Sequence, residues 1–257
     1  MNVRILIAAH KAVPLPQGEP YLPLHVGSAG KEGLGYQRDD EGENISEKNP
    51  RYCELTGLYW AWKNLSADAV GLVHYRRYFG KRNRRAPFSG VLSEKEAQAY
   101  MEKCAIVLPK KRRYYIETLW SHYEHTLHIM PLEITGEVLK EKYPRYFPEF
   151  SRLKKRRSAH MFNMMLMKRE EFDAYCAFLF GVLEEVEKRV PDSEYADPFH
   201  ARFPGRISEL LLDVWLYTEK KEFSECPVFM PDGENTFKKA KSLIEAKFFG
   251  KKYQQSF

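Results

Sequence analysis

Short apolar runs rich in β-branched residues alternate along the chain with segments of helical period, and this alternation limits the fold more than any other feature. VRILIAA at 3–9 is apolar throughout, the pattern of a strand covered on both faces. YLPLHVG holds a second short strand, and AVGLVHYRRYF, AIVLP and HMFNMMLM at 160–167 supply three more. Between them, Asn49 before Pro50 reads as an N-cap with proline at the first helical position. Leu55, Leu58, Tyr59 and Trp62 then recur at i, i+3, i+4 and i+7 in a helix ending near Asn64. Ser93 to Glu96 is a capping box that opens a helix to about Lys103. Further helices are expected over 117–128, 136–143, about Arg169 to Arg189, and within RISELLLDVWLYTEK, where Leu210, Leu211, Val214 and Trp215 keep the period. Strands alternating with helices predict an α/β fold, a mostly parallel central sheet flanked by helices. No repeat or linker divides the chain, so 1–235 reads as one domain, followed by a basic amphipathic tail over 236–257.

With 257 residues the chain can close a sizeable core without disulfides. Its four cysteines, Cys53, Cys104, Cys176 and Cys226, are far apart and read as buried thiols. No run reaches the roughly 18 apolar residues of a membrane span, and Ile5 to Ala9 is too short for a signal-peptide core, so a cytoplasmic protein is expected. Nucleotide and hydrolase fingerprints are missing: there is no GxGxxG, no GxxxxGK[ST] and no GxSxG. The net charge of +6 suits an anionic ligand, an anionic membrane or nucleic acid. Basic residues gather at Arg76 to Arg85, at Lys110 to Arg113 (KKRR), at Lys154 to Arg157 (KKRR) and in the tail. The first cluster follows directly on an apolar strand, at the end where α/β proteins keep their ligands. A nucleic-acid-binding module using the KKRR runs is the alternative, although no RNP, KH or zinc-finger pattern accompanies them.

The segment NISEKNPRYCELTGLYWAWKNLSADAVGLVHYRRYF resembles the signature of the DUF4422 family of bacterial capsule and exopolysaccharide biosynthesis proteins. The resemblance continues, in order, through LPKKRRYYIETLWSHYEHTLH, HMFNMMLMKREEFDAYCAFLF and RISELLLDVWL. It implies a GT-A-like single domain and transfer of a hexose from a nucleotide sugar, UDP-linked, to a saccharide or lipid-linked saccharide acceptor, with no nucleic-acid partner. Most GT-A enzymes resemble one another in holding a divalent cation with a DxD motif at a strand end. Here the corresponding strand end reads His74-Tyr75-Arg76-Arg77, so no metal and no other cofactor is expected.

Departure of a nucleoside diphosphate builds negative charge, and a guanidinium fork fits phosphate oxygens. Arg76 and Arg77 are therefore expected to stabilise it, on alternate faces if the strand continues, with His74 and Tyr75 beside the donor. His10 and Lys11, where the first strand delivers the chain to the ligand, are further donor contacts. Asn44, Ser46 and Asn49 lead into a helix whose first amides favour an anion. Glu209, near the start of a helix, is the expected base for an inverting transfer, with Asp213 one turn on in reserve. His122 and His125 are expected to touch the acceptor, as are His160 and Asn163. His122, His125 and His128, spaced three and three, spread too widely around a helix to share one ion. The tail carries six lysines against one acid, with Phe237, Leu243, Ile244, Phe248 and Phe249 among them, and is expected to touch the inner face of the membrane peripherally.

Overall fold

The computed structural model describes residues 1–81, 86 and 88–231. The tail over 236–257 and its expected membrane contact lie outside the described residues. In chain order the elements are β1 (Val3–Ala9), β2 (Tyr21–His25), β3 (Gln37–Arg38), α1 (Asn49–Tyr52), α2 (Leu55–Asn64), β4 (Ala69–His74) and β5 (Tyr78–Phe79). Then follow α3 (Glu94–Lys103), β6 (Ile106–Pro109), β7 (Arg112–Arg113), α4 (Leu119–Thr126), α5 (Met130–Lys142) and α6 (Phe147–Ser151). The described part closes with β8 (Ser158–Ala159), β9 (Met165–Lys168), α7 (Arg169–Glu187), α8 (Phe203–Thr218), β10 (Ser224–Cys226) and β11 (Val228–Phe229).

Seven strands form one sheet in the order β10-β6-β9-β4-β1-β2-β3. The pairs β1–β2, β1–β4, β2–β3 and β10–β6 are parallel, whereas β9 runs antiparallel to both β4 and β6. The expected α/β fold with a mostly parallel sheet is what the chain forms. Alternation along each strand feeds two cores. Val3, Ile5 and Ile7 face one layer with Ala97 and Met101 of α3, while Leu6 and Ala8 face the other, shared with α2 and α4 to α8. Burial on both faces is why β1 is apolar without interruption. Gly57 lets α2 lie close on β2, because a Cβ there would sit 2.8 Å from Leu24 and 2.9 Å from Val26.

Several boundaries differ from expectation. The apolar run at 160–167 enters the sheet only at Met165, because Phe162 and Asn163 take left-handed conformations (φ 79° and 50°) and turn the chain first. Asn49 is not the N-cap; that position is Lys48, and the side chain of Asn49 donates instead to the Cys53 carbonyl and to Thr56. The helix after it is broken at Cys53 (φ 53°, ψ −130°) into α1 and α2. The helix expected over 136–143 begins earlier, at Met130, with Pro131 in its first turn. Glu209 lies well inside α8, which starts at Phe203, so it does not interact with the helix N-terminus. Of the four thiols, Cys176 and Cys226 are buried, but Cys53 and Cys104 are half-buried.

Candidate active site

The chain leaves β1 for β2 and β3 on one side and returns through α1 and α2 to β4 on the other. This reversal opens a crevice above the carboxyl ends of β1 and β4, where ligands of open α/β sheets bind. A cleft of roughly 520 Å³ fills it. Its floor is made by Ala8 and His10 after β1, Val26 after β2, and His74, Arg76 and Arg77 at the end of β4. Asn49, Pro50, Cys53 and Glu54 form one wall; Pro198, Phe199, Arg202, Gly205, Arg206 and Glu209 form the other, with Phe162 between.

β4 does not continue past His74. His74 and Arg77 bridge across a tight turn, which brings Arg76 and Arg77 both to the cleft and replaces the expected alternate-face arrangement. Arg76 is exposed, and the Arg77 guanidinium lies 4.5 Å from the Phe162 ring centre. Arg202, just before α8, and Arg206 in its first turn add two more guanidiniums, so four converge on a space whose walls carry two carboxylates, Glu54 and Glu209. Such a site favours a polyanion, because each guanidinium stays charged and presents forked donors.

Glu209 is 7% exposed. Its Oε1 accepts the Phe162 N–H at 3.0 Å, and Arg206 approaches its Oε2 at 4.0 Å. Burial raises its carboxyl above the ordinary range, Arg206 opposes the shift, and Glu54 adds to it. The 160–163 turn places several of these groups at once. The Phe162 carbonyl accepts from His74 Nε2 at 2.5 Å, which puts the His74 proton on that nitrogen. Asn163 donates to Glu54 (2.7 Å) and to the Gly205 carbonyl (3.1 Å), and accepts from Ser208 (2.8 Å). His160 is buried with Nδ1 2.5 Å from Asp213 and Nε2 3.2 Å from Glu225. His160 and Asn163 thus stand behind the cleft and hold its lining, and Asp213, fully buried, is committed to His160.

Of the expected donor contacts, His10, Asn49, His74, Arg76 and Arg77 line the cleft. Tyr75 and Lys11 sit at its rim: the Tyr75 ring meets His10 edge-on at 5.3 Å and has Lys11 and Arg76 over it at 5.6 and 5.2 Å. Burial, then the charges of Lys11 and Arg76, lower the His10 pKa. Asn44 and Ser46 do not line the cleft. Asn44 donates to the Asp40 and Gly42 carbonyls, and Ser46 is buried against Asp39. His122 and His125 both bind Glu117 at 2.8 Å, whereas His128, past the end of α4 rather than in the helix expected over 117–128, pairs with Glu194 and stacks on His200. Arg202, Arg206 and Cys53 were not anticipated, although Arg202, Arg206 and Glu209 stand at i, i+4 and i+7, one face of a helix. Cys53 Sγ accepts from Arg202 Nε at 3.1 Å, and burial raises its thiol pKa.

The strand end offers no paired carboxylates. Among the described residues no group of three or more His, Cys, Asp or Glu side chains is placed to hold a metal ion. No helix among the described residues is long and apolar enough to cross a membrane.

The model of a family described as a domain of unknown function, DUF4422, matches residues 4–221. No curated protein sequence matches the chain. Among solved structures the chain is similar to the apo structure of the bifunctional glycosyltransferase WbbM, with 28% identity and a TM-score of 0.82. The match covers 90% of this chain and 45% of that one, so the chain spans a little under half of the protein it resembles.

Proposed function

The chain belongs to the DUF4422 family, and from that premise we propose that it is an inverting glycosyltransferase, moving a hexose from a UDP-linked donor to a saccharide acceptor in bacterial surface polysaccharide synthesis. The observation that carries this reading is the convergence of Arg76, Arg77, Arg202 and Arg206 with the buried Glu209 in the crevice over β1 and β4. Likeness to part of a bifunctional glycosyltransferase supports it.

In this reading the diphosphate lies against the four guanidiniums, which stabilise the charge that builds as the glycosidic bond breaks. His10 and Tyr75 border the mouth where the nucleoside enters. Glu209 accepts the proton of the acceptor hydroxyl; a carboxyl raised by burial is a stronger base than a solvated one. The Phe162 N–H holds one Glu209 oxygen and leaves the other for the acceptor. The guanidiniums take the place of a metal.

Incubation with a panel of nucleotide sugars, scoring nucleoside diphosphate release with and without acceptor, tests the proposal. Release with a UDP-sugar that persists in EDTA is expected. Release that stops in EDTA and returns with Mn²⁺ would overturn the arginine assignment, and no release with any donor would overturn the reading itself.

A further inference from the structure

Tertiary structure joins the two KKRR runs. β7 and β8 pair antiparallel, with Arg112 opposite Ala159 and Arg113 opposite Ser158. Tyr114 N–H donates to the Arg157 carbonyl at 2.7 Å, Leu119 N–H donates to the Arg156 carbonyl at 2.8 Å, and Arg157 Nη1 reaches the Tyr115 carbonyl at 3.3 Å. The loop that projects between these bonds ends in Tyr115, 82% exposed, and Ile116, 50% exposed. Burial elsewhere is so thorough that these are two of only four large apolar side chains exposed among the described residues.

On the two strands and the turn that hold this loop, Arg113, Lys154, Lys155 and Arg157 are exposed, and none has a carboxylate partner among the described residues. The nearby acids are engaged: Glu149 pairs with Arg152 and Arg156, and Glu117 with His122 and His125. Lys154 is held over Trp120 at 4.6 Å. An apolar tip inside a collar of unmatched cations is the composition that an anionic bilayer surface takes up, the tip entering the headgroup layer and the cations remaining among lipid phosphates.

We propose that the Tyr115–Ile116 tip and its basic collar dock on an anionic phospholipid surface. Nucleic acid would share the attraction to the collar, but an aliphatic Ile116 offers a base no stacking face, whereas a Tyr and an Ile side by side suit the bilayer interface. β8 runs directly into the 160–163 turn, whose Phe162 lines the cleft, so docking here brings the catalytic cleft near the bilayer. A lipid-linked saccharide is then the favoured acceptor class, and that last step alone rests on the glycosyl-transfer reading.

The full chain is sedimented with phosphatidylcholine vesicles and with phosphatidylcholine–phosphatidylglycerol vesicles, at low and raised salt. Binding to the anionic vesicles only, weakened by salt, is expected. Arg113→Gln/Lys155→Gln/Arg157→Gln should lower apparent affinity about a hundredfold, at about fivefold per cation removed. Tyr115→Ser/Ile116→Ser should lower it about tenfold and keep the preference for anionic lipid. Nucleoside diphosphate release with a soluble acceptor should be unchanged in both variants, which separates failure of docking from failure of the transfer reading. Wild-type vesicle binding by the triple variant overturns the proposal. So does a single-stranded oligonucleotide that competes with the vesicles while Tyr115→Ser/Ile116→Ser binds them normally, the outcome expected of a nucleic-acid surface.

Discussion

Two buried carboxylates are treated in opposite ways. Asp39, just past β3, is fully buried and receives the backbone N–H groups of Gly27 and Ser28 and the hydroxyls of Ser28, Ser46 and Thr56. Gly27 makes this possible: it takes φ +65°, and a Cβ there would collide with the Asn49 side chain. Glu209 has one N–H donor and a distant guanidinium, and it opens on the cleft. Asp39 has spent its lone pairs on the loop that carries the chain from β2 to α1. Glu209 keeps its lone pairs, and burial makes its charge costly, which is the condition under which a carboxylate takes a proton readily. Saturation marks the structural acid and under-saturation the reactive one.

The sharpest way to break this comparison is Glu209→Gln, which keeps the Phe162 contact and removes basicity. Turnover should fall by about 10²–10⁴-fold with little change in UDP affinity measured by calorimetry. The same variant carries a pH signature. The raised carboxyl places the acid limb of wild-type kcat/KM above the ordinary carboxylate range, and the limb should vanish in the variant. For stability the sign is opposite to that of an ion-paired acid. The folded state holds the Glu209 proton more tightly than the unfolded chain, so stability is lost as pH rises through the folded-state value, and at neutral pH Glu209→Gln should melt no lower than wild type. Near-normal turnover would pass the role to another group.

Asp39→Ala should show the reverse pattern. Several donors lose their acceptor in a dry site, so urea unfolding should register a loss of about 3–5 kcal/mol. Arg76→Ala tests the rest of the cleft: an exposed guanidinium contributes little to folding, but loss of one transition-state donor should raise the barrier by about 2.7–4 kcal/mol, read as kcat/KM at unchanged melting temperature. Asn44→Ala is the mildest. It removes loop hydrogen bonds worth about 1 kcal/mol in denaturation, and turnover at equal folded fraction should stay as in wild type.

Two of the four cleft arginines and Glu209 are legible because strand ends and helix faces have fixed periodicity: Arg76 and Arg77 follow an apolar run, and Glu209 sits within a strong helical pattern. Asn44 and Ser46 were read toward the donor because nothing local shows that Asp39 lies among them. Local sequence shows a polar loop, and the hydrogen bonds that use it up close between segments far apart in the chain. Asn49 fails only as the N-cap, for a related reason: its amide serves Cys53 and Thr56, across the helix break that the left-handed Cys53 imposes.

The alternation of strands and helices and the layers they form follow from the amino-acid sequence alone, because uninterrupted apolar runs must be covered on both faces and charged residues directly after them must reach solvent. So does the lack of paired carboxylates at the end of β4. Only the tertiary structure decided which polar groups remain unspent. It turned the chain at Phe162 and Asn163 so that one backbone N–H meets Glu209 and one carbonyl meets His74, committed Asp213 to His160, and set two distant basic runs side by side around an exposed apolar tip. Hydrogen-bond saturation and charge neutralisation depend on partners brought together through space, and no period along the chain records them.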